Sequence, residues 1–179
     1  MPTKIPEPWL SFLRDVDGLL QQRTEVHCLG AFVLSVLWGL PRPTGDIDIV
    51  EILPPDAWTQ LMKVAGEGSS LAREHSLHFQ RVSVAEYPEG YVSRLVDITP
   101  DRFHRLRLMA FEVHDLVLAK LARNSPRDRA DVEFLARKGA LDRGILEGRF
   151  DMEMRLYLLD AARETASLTL WLDEFLGNV

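Results

Sequence analysis

The 179-residue sequence is 46% hydrophobic and 27% charged, enough to bury a core and too apolar for an intrinsically disordered chain. No window approaches the ~18 apolar residues of a membrane helix, and the N-terminus carries no apolar signal segment. The one cysteine, Cys28, rules out an internal disulfide, and a net charge of −6 argues against nucleic-acid binding driven by the chain as a whole, so a cytoplasmic domain is expected.

After Pro2, Pro6 and Pro8, apolar residues at Trp9, Phe12, Leu13, Val16, Leu19 and Leu20 predict a helix over 9–22. Residues 25–29 read as a short strand ending at Gly30. The apolar stretch 31–38 reads as a helix stopped by Gly39, Pro41 and Pro43. A strand over 46–53 follows, then a helix from Pro55 to about Ala65 and a loop over 66–70. Two β-rich runs, 77–86 and 91–99, are joined by Tyr87-Pro88-Glu89-Gly90 and predict a hairpin. A short strand near 106–113 precedes a helical remainder: 114–124, 126–138, 142–149 and a long helix over 151–176. The expected fold is α/β (α+β), a small mixed sheet flanked by helices over 1–113, with a helical C-terminal region over 114–179 packed on it.

The chemistry concentrates in two places. Asp46 and Asp48 fall on one face of a strand while Ile47 and Ile49 face the other. Two carboxylates so aligned call for a cation, and Mg²⁺ is the hard ion that binds through one or two carboxylates and substrate phosphates. Gly30 ends one strand and opens a helix, leaving backbone N–H groups where a phosphate can rest. Together these parts suit activation of a nucleoside triphosphate, with Arg42 and Thr44 of the Pro-Arg-Pro-Thr lead-in as further nucleotide-binding candidates. Asp97, in a strand-like run, is a candidate third metal ligand and proton acceptor; a strand end entering a turn is the alternative.

The second place follows residue 114. Lys120 and Arg123 share a helix face, and Asp128 and Asp131 are again three apart. These four either grip and orient a triphosphate or form an inter-helix salt-bridge network, since a lysine in the apolar run 116–122 needs a partner. Residues 101–129 carry seven Lys and Arg against four Asp and Glu, which favours an anionic acceptor there; residues 140–179 carry four against eight. His75 and His78 have near-ligand spacing, but no further His or Cys cluster supports zinc. Walker, nucleophile-elbow and dinucleotide fingerprints are missing from the sequence.

Gly30-Ala31 followed by Leu40-Pro-Arg-Pro-Thr-Gly-Asp-Ile-Asp-Ile49 resembles the signature of the nucleotidyltransferase superfamily, the DNA polymerase β-like fold. Residues 87–95 and 115–131 look like small bacterial nucleotidyltransferase-like proteins related to AbiEii-type toxins of toxin–antitoxin systems. The resemblance covers roughly residues 9–150. It implies Asp46 and Asp48 as metal ligands, Gly30 and Ala31 as the phosphate-contacting turn, Lys120 as a triphosphate contact, and Asp128 or Asp131 as a late acid of the motif. Ala31 replaces the usual Gly or Ser, which removes a hydroxyl but not the backbone N–H. Asp97 stands where superfamily enzymes place a third acid.

Two functions follow as expectations. One is Mg²⁺-dependent transfer of a nucleoside monophosphate from an NTP to a hydroxyl on RNA, a protein or a small molecule. The other is a non-catalytic relative that binds a protein, such as a cognate toxin or antitoxin. Neither involves a membrane.

Overall fold

A computed structural model describes residues 5–177; Pro2 lies outside them. The chain forms two compact units. The first takes residues up to 83 together with 95–111, and the second takes 84–94 together with the chain from 112 onward.

The first unit is a five-stranded mixed sheet with helices. Its elements are α1 (Trp9–Leu19), β1 (Thr24–Leu29), α2 (Gly30–Trp38), β2 (Asp46–Leu53), α3 (Ala57–Ala65), α4 (Ser70–His75), β3 (His78–Arg81), β4 (Val96–Asp97) and β5 (Leu106–Ala110). The strand order is β3-β2-β1-β5-β4, with β1 antiparallel to β2 and parallel to β5.

Alternation assigns the two faces. Val26 and Cys28 of β1, Ile47 and Ile49 of β2, Phe79 of β3 and Leu108 of β5 are fully buried or nearly so. Phe12, Leu13 and Val16 of α1, Phe32 and Val33 of α2 and Leu61 of α3 complete that core. The aromatic rings interlock, with Trp9 and Phe32 centroids 4.7 Å apart and Phe12 and Phe79 5.7 Å apart. Val50 is an extra residue: His27 pairs with Glu51 and Cys28 with Ile49, so the register shifts. The bulge lets Ile47, Ile49 and then Ile52 all point into the core. The opposite face receives Asp46, Asp48 and Glu51 from β2, Glu25 and His27 from β1, and Arg107 from β5.

The expected hairpin over 77–99 does not form. β3 and β4 are opposite edges of the sheet, and residues 89–94 wind into a 3₁₀ turn. The cause is Arg94, whose guanidinium binds Asp115 at 2.9 and 3.1 Å and Glu153 at 2.8 and 3.0 Å. These bonds, with buried Tyr91, override the β-favouring composition. A further difference is α4, which falls just after the expected loop and is capped by the Ser69 hydroxyl.

The second unit is helical: α5 (Val113–Leu118), α6 (Pro126–Arg137), α7 (Arg143–Glu153) and α8 (Ala161–Trp171), the last extended by a π-helical turn over Leu172–Leu176. α6 opens with Pro126 and a capping box, in which Ser125 and Asp128 satisfy each other's backbone N–H groups. The long helix expected over 151–176 is broken, because α7 ends at Glu153 and Asp160 caps a new helix by accepting from the Arg163 N–H. The helix expected over 114–124 shortens to α5 and turns, ending near Asn124, whose φ is 43°.

Candidate functional site

The β1–α2–β2 segment brings five of the expected site residues together. On β2, Asp46 and Asp48 are half-buried while Ile47 and Ile49 are inaccessible, so both carboxylates leave the strand on the face away from the core. The Thr44 hydroxyl donates to Asp46 Oδ1 and orients that carboxylate. Across the antiparallel pair, Leu29 lies opposite Asp48, which places Gly30 against the Asp48 side chain. A Cβ on Gly30 would sit 3.2 Å from Asp48 Cγ and overlap Oδ2 outright. Gly30 also has φ 83°, in the left-handed region. Glycine is therefore required twice here, for backbone conformation and for the space that Asp48 fills.

Gly30 is also the first residue of α2, and Leu29 at the N-cap offers no capping side chain. The first-turn amides, including that of Ala31, lie at the positive end of the helix, one residue from an aspartate pair. Arg42 is half-buried in the loop between α2 and β2.

Register adds two residues that the sequence reading did not select. β3 runs parallel to β2, with His78 opposite Asp46 and Gln80 opposite Asp48, so both share the carboxylate face. In the sequence His78 stands out only through its spacing from His75. That histidine instead bonds Asp15, Nε2 to Oδ2 at 2.8 Å.

The donor set suits a hard divalent ion. Two carboxylates stand side by side with no third acid next to them, and among the described residues no group of three or more His, Cys, Asp or Glu gathers as a metal cage. Mg²⁺ takes such incomplete protein sets, because it keeps waters and substrate phosphates among its ligands. Asp46 and Asp48 would hold it.

A sequence profile described as nucleotidyltransferase of unknown function (DUF6036) matches residues 13–175. The chain belongs to that family. No curated protein and no solved structure matches it. The small mixed sheet flanked by helices, with further helices toward the C-terminus, is the architecture expected of a nucleotidyltransferase core.

In this DUF6036 member Asp97 does not join the aspartate pair. It sits on edge strand β4, three strands from β2 in the order β2-β1-β5-β4. Three inter-strand spacings amount to about 14 Å, too far to share the ~2.1 Å coordination of one Mg²⁺. Its carboxylate is engaged locally: Oδ2 accepts from Arg107 Nε at 2.8 Å and Oδ1 from the Thr99 N–H at 2.9 Å. Arg107 also reaches Glu25 at 3.0 Å, and Glu25 meets His27 at 3.2 Å. The Asp97 hydrogen bond, together with the charges of Asp97 and Glu25, raises the Arg107 pKa. Asp97 is thus one end of an ion-paired row across the sheet and stands apart from the Asp46–Asp48 pair.

The four residues of the second cluster meet one another within the helical unit. Lys120 Nζ donates to Asp128 at 3.2 Å and Asp131 at 2.9 Å, all three being buried. Arg123 adds a fork onto Asp128, with Nε to Oδ2 at 2.7 Å and Nη2 to Oδ1 at 2.5 Å. Burial alone would raise the Asp128 pKa; the bonds from Arg123 and Ser125 and the Lys120 charge hold it well below the ordinary range. This geometry fastens α6 to the turn after α5. A second network, Arg94–Asp115–Arg149–Glu112–His114, fastens the 3₁₀ turn, α5 and α7.

Proposed function

We propose that the protein is a Mg²⁺-dependent nucleotidyltransferase that moves a nucleoside monophosphate from an NTP to a hydroxyl acceptor. The observation that carries the reading is the packing of Gly30 against Asp48, which puts an uncapped helix start beside two aligned carboxylates. The family match supports the same chemistry. Asp46 and Asp48 would hold the metal, with Thr44 fixing the rotamer of Asp46. The Gly30 and Ala31 amides would receive phosphate oxygens, and Arg42 would offset their charge. A Mg²⁺ held by Asp46 and Asp48 would neutralise triphosphate charge and so favour departure of pyrophosphate. The reading makes no use of Asp97 or of the Lys120 cluster.

A second reading, a nucleotide-binding relative without transfer, draws on one observation: among the described residues no third acid joins Asp46 and Asp48, and the residue opposite Asp48 on β3 is the amide Gln80. The acceptor class divides the two readings. Transfer calls for a hydroxyl from RNA, protein or a small molecule; binding alone calls for none.

Calorimetry with each of the four NTPs, with and without Mg²⁺, tests the proposal on the parent and on Asp46→Ala/Asp48→Ala. The expected result is Mg²⁺-dependent binding that the double substitution abolishes. No metal-dependent binding in the parent overturns both readings. Binding without release of labelled pyrophosphate on any offered acceptor leaves the second.

A further inference from the structure

The sheet carries a second feature at the end away from Asp46 and Asp48. A cavity of about 690 Å³, the size of a small-molecule site, opens where β1 begins and β2 ends. Residues 23–25, 53–54 and most of 97–107 line it, all of them in the first unit. In register Glu25 stands opposite Leu53, and Leu29 opposite Asp48. Four residues along a strand span about 13 Å, so the cavity is separate from the aspartate pair.

The rim is fastened through its backbone. The buried Asp17 carboxylate accepts from the N–H groups of His104, Arg105 and Leu106 at 3.1, 2.7 and 2.8 Å. The Thr24 N–H donates to the Arg105 carbonyl at 2.7 Å. Asp101 holds φ 52°, a left-handed conformation that its surroundings must impose. β1 and β5 run parallel with Thr24 opposite Leu106, which sets Arg23 and Arg105 side by side just ahead of that pair.

Three arginines and three acids line the cavity, but Arg107 pairs with two of the acids, Asp97 at 2.8 Å and Glu25 at 3.0 Å. Among the described residues nothing bonds the Arg23 or Arg105 guanidinium, which leaves two neighbouring cations against one acid, Asp101. Like charges set side by side call for a counter-ion. A phosphate monoester, close to doubly charged at pH 7, matches two guanidiniums. The half-buried Phe103 ring stacks on no other ring among the described residues, and Pro54 and Pro100 add apolar wall, a match for a flat base.

We propose that this cavity binds a nucleoside monophosphate, its 5′-phosphate on Arg23 and Arg105 and its base on Phe103. The ligand is a free nucleotide or the 5′-phosphorylated end of a strand. A metal-bound triphosphate does not suit the place, because Arg107 already engages Glu25 and Asp97.

The test uses the full chain carrying Asp46→Ala/Asp48→Ala, without added metal, so its outcome is independent of the reading of the first site. Calorimetry and assigned amide shifts are recorded with AMP, adenosine, inorganic phosphate and a 5′-phosphorylated oligoadenylate. AMP should bind at least about tenfold tighter than adenosine or phosphate and shift the amides of 23–25 and 99–107 rather than 30–31. Adding Arg23→Gln/Arg105→Gln, at exposed positions, should weaken AMP at least about tenfold and leave adenosine within about twofold. Phe103→Leu should weaken both. Equal affinity for AMP and the strand assigns a free nucleotide, tighter binding of the strand assigns a strand end, and both uphold the site. No binding of AMP or strand, shifts centred on 30–31, phosphate binding as tightly as AMP, or affinity unmoved by Arg23→Gln/Arg105→Gln overturns the proposal.

Discussion

Gly30→Ala separates backbone strain from the contact with Asp48. An alanine at φ 83° costs about 1–2 kcal/mol in the left-handed region. With a urea m-value of about 2 kcal/mol/M, the unfolding midpoint of the first unit should fall by about 0.5–1 M. Its Cβ would also occupy the space of Asp48 Oδ2, so the carboxylate must leave the place it holds beside Gly30. Gly39 supplies the control: its φ is 70°, yet a Cβ there meets nothing within 4 Å. Gly39→Ala should therefore lose similar stability while keeping Mg²⁺-NTP affinity. Gly30→Ala should lose affinity by at least about tenfold, or 1.4 kcal/mol. Urea titration and calorimetry on the two variants decide it. Equal affinity in both would refute the argument that Gly30 exists to seat Asp48.

Three other outcomes follow from the geometry. Lys120→Met leaves Asp128 and Asp131 buried without their shared cation and should cost the helical unit about 3–5 kcal/mol in chemical denaturation. Asp97→Asn should leave Mg²⁺-NTP affinity within about twofold of the parent and cost at most about 1 kcal/mol, the scale of an exposed ion pair. Glu112 would be raised by burial, but bonds from His114 and Arg149 hold its pKa at about 2. That stabilisation, about 3 kcal/mol, is complete above pH 4.5 and lost as pH falls through 2. Arg149→Met should make acid unfolding of the helical unit less steep across that window.

The carboxylate pair was legible because it is a local property. Alternation in 46–49 puts the acids on one face whatever the strand pairs with, and a glycine between a strand and an apolar helix is a short-range signal. Asp97 was misplaced because strand order is not local: nothing near Val96–Ile98 shows that β5 and β1 intervene before β2, or that Arg107 is waiting on β5. The same blindness hid His78 and Gln80, whose relevance lies in register with β2. For Lys120, Arg123, Asp128 and Asp131 the spacing showed that charges would meet without showing what they would meet; the buried bonds settle on one another. The hairpin failed where a side chain's long-range partners, Asp115 and Glu153 for Arg94, outweighed β-favouring composition.

The placement of metal and phosphate at Gly30, Asp46 and Asp48 can be tested residue by residue with Mn²⁺ in place of Mg²⁺ and paramagnetic broadening of assigned backbone amides in the presence of ATP. Broadening should centre on the amides of 30–31 and 46–48, leave 97–99 sharper, and vanish in Asp48→Asn. Broadening centred on 97–99, or undiminished in Asp48→Asn, would contradict the two-aspartate site.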